Sequence, residues 1–173
     1  FNSDFFKNSK FQKVKNPAEV VCGTMHIVGS NKFPIQGIFE EALECRYMNQ
    51  DLLNPPSVKG WHTGKEWIDS GSLVERINYV SDELSDTSKP GVRAMVDNLM
   101  SRTSAFTPEA LIDGCLELLG YVELKDETMS DLVESVGRAG EIRTDNPEDL
   151  MFAEQLMLRT LKMIGATREY QFG

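Results

Sequence analysis

The sequence predicts an all-α fold, an irregular multi-helix bundle with one long Pro/Gly/Trp-rich loop. Three observations predict it. Apolar residues recur at helical spacing in several separate stretches. Three of these stretches open with the same start signal, a capping side chain followed by Pro and then an acid. No alternating strand pattern of useful length occurs. The chain has 173 residues, of which 40% are hydrophobic and 26% charged, a mixture that suits one packed domain rather than a disordered chain.

The elements follow in order. Asn16-Pro17-Ala18-Glu19 opens a helix over 17–29, because Asn caps the first free amides and Pro gives up a donor that had no partner. Ile35, Ile38, Phe39, Ala42 and Leu43 mark a second helix over 35–47. Ser72-Leu73-Val74-Glu75 has capping-box spacing and starts a helix over 72–85, with Leu73, Ile77, Val80 and Leu84 as its apolar stripe. Val92, Met95, Val96 and Leu99 define 90–101. Thr107-Pro108-Glu109 opens 108–119, with Leu111, Cys115, Leu118 and Leu119 inward and Gly120 as the stop. A helix over 127–138 comes next. Tyr121 to Leu124 is a short extended link. Asn146-Pro147-Glu148-Asp149 opens 147–164, where Leu150, Ala153, Met157, Leu161 and Ile164 lie on one side and Phe152, Leu156 and Met163 on another. Apolar groups on two sides predict a central, buried helix.

The chain reads as a single helical domain over 1–173, with a possible subdivision near 86–91. There the composition shifts: the part up to Ser81 carries nine basic and nine acidic residues, the rest nine and eighteen. The net charge of −9 disfavours nucleic acid as a partner. A basic stretch of Lys7, Lys10, Lys13 and Lys15 with Phe5, Phe6 and Phe11 is the nearest thing to a nucleic-acid footprint. No apolar run reaches the roughly 20 residues that a transmembrane helix needs. The chain starts at Phe1 rather than Met, so it is expected to be the C-terminal portion of a longer protein.

Asn49 to Ser70 is the one long stretch without helical period. It holds Pro55-Pro56, Gly60, Gly64 and both tryptophans, Trp61 and Trp67. A loop of this length either packs its own side chains or binds something. The candidate binding residues are Lys59, Trp61, His62, Lys65, Glu66 and Trp67. Two readings stand. The rings fold inward and pin the loop, leaving it to dock on a protein partner or the remainder of its own chain. Alternatively, they form a platform for sugar or peptide. A third reading makes His62 or Glu66 part of a hydrolase site completed outside this chain. No recognised nucleophile, phosphate-loop or zinc-protease motif is present, and no residue is assigned as catalytic. Cys22 and His26 stand at i, i+4 but lack further ligands, so neither a metal nor another cofactor is expected. Cys22, Cys45 and Cys115 are read as three thiols, or as one disulfide and a free thiol.

One resemblance rests on definite residues. Pro55-Pro56-Ser57-Val58-Lys59-Gly60-Trp61, Gly64, Trp67-Ile68 and Ser72-Leu73-Val74-Glu75-Arg76-Ile77-Asn78 resemble the C-terminal signature of a widespread bacterial family, domain of unknown function number eighteen hundred. Phe5 to Val21, Met48 to Leu53 (with Asn49 where Gly is usual) and Ala166-Thr167-Arg168-Glu169-Tyr170-Gln171 are similar to further stretches of it. The resemblance implies a mainly helical protein, export in many members, and no activity that transfers to these residues.

Overall fold

The computed structural model describes residues 2–9, 12–32, 37–120 and 122–172. Ile35 of the second stripe, Tyr121 of the extended link, and Lys10 and Phe11 of the basic stretch lie outside them. The chain is mostly α-helical, with one two-stranded ribbon among the described residues. In order come α1 (Asp4–Asn8), α2 (Pro17–Val28), α3 (Ile38–Tyr47), a 3₁₀ turn (Gly64–Trp67), α4 (Ser70–Ser85), α5 (Pro90–Met100), β1 (Ala105–Phe106), α6 (Pro108–Leu119), α7 (Asp126–Gly137), β2 (Ile142–Arg143), α8 (Pro147–Gly165) and α9 (Arg168–Gln171).

The Asn-Pro and Thr-Pro starts form as their chemistry requires. Asn16 Oδ1 accepts from Glu19 N at 2.9 Å while Glu19 Oε2 accepts from Asn16 N at 2.8 Å, a reciprocal capping box. Thr107 caps α6 through Ala110 N at 3.2 Å, and Asn146 caps α8 through Glu148 N and Asp149 N. The α4 start corrects the sequence reading. Its cap is Asp69, whose Oδ1 accepts from Gly71 N and Ser72 N, and Ser72 sits at the third helical position with its hydroxyl on Asp69 N. Asp wins because its carboxylate takes two amides at once at the positive end of the helix.

α8 and α4 form the central pair. Gly165 lets them close up, since a Cβ there would meet Val80 Cγ1 at 2.7 Å. α2 lies across α4, and α5 lies against both α2 and α8. Gly91 brings α5 onto the end of α2, because any Cβ would overlap the backbone of Ile27 and Val28. α6 and α7 cover the far side of α8. The β1–β2 ribbon pairs Ala105 with Arg143 and Phe106 with Ile142, burying Ile142 and Phe106 under α8 and α6. One apolar cluster runs from Val20 to Tyr170 and includes Val28, Val80, Leu84, Leu111, Met157 and Ile164. Each fully buried aliphatic side chain contributes about 1.5–3 kcal/mol before ordering costs. The two-sided burial expected of α8 is partial: Leu156 is buried, Met163 is half-buried, but Phe152 is 42% exposed. Val14, before α2, bridges Phe172, just after α9, in antiparallel fashion.

Candidate interaction site in the tryptophan loop

The loop between α3 and α4 is held by its own hydrogen bonds and by one buried ring. Asn49, at φ 72, turns the chain out of α3, a left-handed geometry that Asn tolerates. Its Nδ2 donates to Asp69 Oδ2 at 2.8 Å, so the start of the loop is tied to the cap of α4. Those donors hold the Asp69 carboxyl below the usual carboxylate range, the Ser72 amide foremost. Asp51 O accepts from Asn54 N at 3.1 Å and from Trp61 Nε1 at 3.1 Å, which closes the Pro55-Pro56 stretch into a lobe. Gly60, at φ 95, completes a tight turn with Gly60 N donating to Ser57 O.

The two tryptophans differ. Trp67 is 5% exposed and Trp61 is half-buried. His62 meets Trp67 edge-on, with ring centroids 6.2 Å apart. His62 Nδ1 lies 3.7 Å from Glu66 Oε2, and that same oxygen accepts from Thr63 N at 3.1 Å, so Glu66 fastens the short 3₁₀ turn. Lys59, His62, Lys65 and Glu66 are exposed. The structure thus brings Trp61, His62 and Trp67 together around an open hollow of about 430 Å³, also lined by Gln12, Val14, Asn16 and Gln50. Lys59 lies at the lobe's tip, and Lys65 lines a neighbouring hollow with Lys125 and Arg168.

Beneath the loop is a buried polar node that the sequence reading missed. Ser72 Oγ donates to Trp67 O at 2.9 Å. One turn later on α4, Arg76 is fully buried. Its Nη2 donates to Lys15 O, and its Nε reaches Gln171 Oε1 at 3.4 Å. Gln171 Nε2 donates to Gly165 O at 2.9 Å, and Lys15 Nζ donates to Tyr170 O at 2.6 Å while lying 4.8 Å above that ring. Burial lowers the basicity of both cations, and the Arg76 charge lowers that of Lys15 further. Arg76 had a readable signal. It falls at i+3 from Leu73 and i−4 from Val80, inside the apolar stripe, where a solvated cation does not belong. Lys13 pairs with Glu19 and stays exposed, whereas Lys15 turns inward.

The profile of the family described as "Protein of unknown function (DUF1800)" matches residues 1–172. The chain belongs to this family. No curated protein and no solved structure matches it. The stretches that carried the family resemblance now have a spatial meaning. Trp67, the Ser72–Asn78 turn of α4 and the closing Arg168–Gln171 stretch are linked through Ser72, Arg76 and Gln171, while the PP-x-V-K-G-W lobe is tied to Asp51 through Trp61. Among the described residues no group of three or more His, Cys, Asp or Glu side chains is placed to hold a metal ion. His26 Nδ1 lies 3.1 Å from Asn31 Nδ2. No helix among the described residues is long and apolar enough to cross a membrane.

Proposed function

We propose that this chain is a helical interaction module that docks on a protein surface, either a partner or the remainder of its own chain, through the outer rim of the tryptophan loop. The inner face of the loop is the clasp, with Trp67 as its anchor and Trp61 as its tie. The outer rim is Leu52, Leu53, Pro55, Pro56, Val58 and Lys59.

Leu53 carries this reading. It is 96% exposed and holds φ 63, a left-handed backbone that costs a branched residue about 1–2 kcal/mol. Leu53 thus holds a large apolar side chain in water on a strained backbone. Val58, at the tip of the Ser57–Gly60 turn, is also fully exposed. Rigid presentation of apolar side chains by a hydrogen-bonded lobe lowers the ordering cost of association. Of the six candidate residues, Trp67 and Trp61 hold the lobe and Lys59 stands on its rim. His62 and Lys65 line the neighbouring hollows, and Glu66 fastens the 3₁₀ turn between them.

The test is photo-cross-linking in the intact gene product in its native cell, with a benzophenone side chain at position 53 or 58 and at Met151 as control. Met151 is exposed on α8. Discrete protein adducts from 53 and 58, at least tenfold above 151, are expected. Equal yields at all three positions, or none from 53 and 58, would refute docking through the rim.

A second reading follows from the hollow beside Trp61, where Gln12, Lys13, Asn16, Gln50 and His62 set polar groups beside a half-exposed indole, a lining that suits a glycan. A shift of tryptophan emission on titration with cell-wall oligosaccharides, lost in Trp61→Phe, would favour it.

A further inference from the structure

α2 and α3 are tied at their ends. Ala18 N, in the first turn of α2, donates to Gln50 Oε1 at 2.8 Å, and Gln50 N donates to Cys45 O at 2.8 Å. The end of α3 therefore lies beside the start of α2, and the two helices run antiparallel. One turn forward from Ala18 along α2 reaches Cys22, on the same helical face. Gln50 lies just past the end of α3, and its amide folds back onto Cys45 O, which sets Cys45 beside it in the last turn of the helix. The register places Cys22 and Cys45 at the same level of the α2–α3 contact. Cys45 is the buried residue of α3 and Cys22 is exposed. Cys115 lies in the core on α6, away from both helices.

We propose that Cys22 and Cys45 are a redox pair that closes to an interhelical disulfide. The co-reactant is a small disulfide such as oxidised glutathione. The exposed Cys22 thiolate attacks one of its sulfurs, its S–S bond breaks, and one thiol leaves. Cys45 then loses its proton and attacks the Cys22 sulfur of the mixed disulfide, expelling the second thiol. Two protein S–H bonds and one external S–S bond are lost, and one protein S–S bond and two external thiols form. The two electrons given up by the protein reduce the reagent. Cys22 acts first because burial, with Cys22 itself nearby, pushes the Cys45 thiol up to about 11.

The bond would add a covalent tie to α3, which is already joined to α4 where Tyr79 Oη donates to Glu41 Oε2 at 2.6 Å. α3 turns Glu40, Glu41 and Glu44 toward Glu75, Asp82 and Glu83 of α4, a hollow where Lys89 is the one cation among the described lining residues. A covalent tie at the buried residue of α3 opposes that repulsion.

The native chain is treated with oxidised glutathione, alkylated, and digested without reduction for mass spectrometry. A Cys22–Cys45 linked peptide is expected, with one titratable thiol after unfolding and slower amide exchange across α3. Cys115→Ser should keep the link, and Cys22→Ser should abolish both the link and the slowed exchange. A glutathione adduct that stays on Cys22 while Cys45 remains reduced would overturn the pairing. So would three free thiols, or a link that includes Cys115.

Discussion

Trp67, rather than Trp61, carries the larger share of the loop's packing energy. The ring of Trp67 is buried under His62, and its carbonyl is bonded by Ser72. Trp67→Ala removes a full aromatic side chain and should cost about 3–5 kcal/mol in chemical denaturation. Trp61 is half-buried and makes one hydrogen bond, so Trp61→Ala should cost less, about 1–2 kcal/mol. Equal losses for the two would contradict this assignment. Arg76 is the other residue on which the region depends. Arg76→Ala leaves Lys15 O and Gln171 Oε1 without their donor and opens a cavity, a loss of about 3 kcal/mol. Arg76→Lys should recover little, since an ammonium cannot span the two acceptors that the guanidinium fork reaches. Leu53→Gly is the opposite case. It relieves the positive φ and should leave stability within about 1 kcal/mol of the parent.

At the scale of elements, α3 is the helix most sensitive to pH. Glu44 and Glu83 face a shared acidic hollow. Burial raises the Glu44 carboxyl above its ordinary range, and Glu75, Glu41 and Glu83 raise it further. Burial also raises Glu83, although its ion pair with Lys89 at 3.1 Å opposes the rise. A carboxyl with a raised pKa binds its proton more tightly in the folded state than in the unfolded one. Stability therefore increases as pH falls through the folded pKa, and the increment is lost again toward neutrality. Glu19, Asp69, Asp86, Asp97 and Glu117 are shifted down and act oppositely, from the usual carboxylate range downward. Acidification from pH 7 toward about 5 should slow amide exchange in α3, and further acidification should reverse the gain. Glu44→Gln should reproduce the slowing at pH 7. Exchange in α3 that accelerates steadily from pH 7 to 5, after correction for intrinsic rates, would contradict this. Contacts between helices are sharper in their demands. Gly91→Ala has only backbone to displace on α2 and should cost about 2–3 kcal/mol, read as a lowered melting temperature.

For the whole molecule, the long helices were legible because their signals are periodic and repeat over many turns. Asn16, Thr107 and Asn146 start their helices as their chemistry dictates. The pieces left unread are too short to have a period: α1, α9, the 3₁₀ turn and the two-residue strands. Their existence depends on tertiary contacts such as Phe106 with Ile142 and Val14 with Phe172. Within the loop, the residue types drew attention to Trp61 and Trp67, but sequence does not state which ring is buried. That is decided by Ser72 and Asp69, which fix where α4 begins and hence where Trp67 points. The Arg76–Gln171 contact spans 95 positions and has no local trace beyond a cation in an apolar stripe.

The claim on which the rest depends is that a buried Trp67 ring holds the lobe rigid so that its rim can be presented. Amide hydrogen exchange of residues 51–72 in Trp67→Ala, compared with the parent and with Leu53→Gly, measures this most directly. Loss of protection at Gly60, Glu66, Ile68 and Ser72 in Trp67→Ala, with no change in Leu53→Gly, is the predicted result. Undiminished protection of these amides without the ring would contradict it.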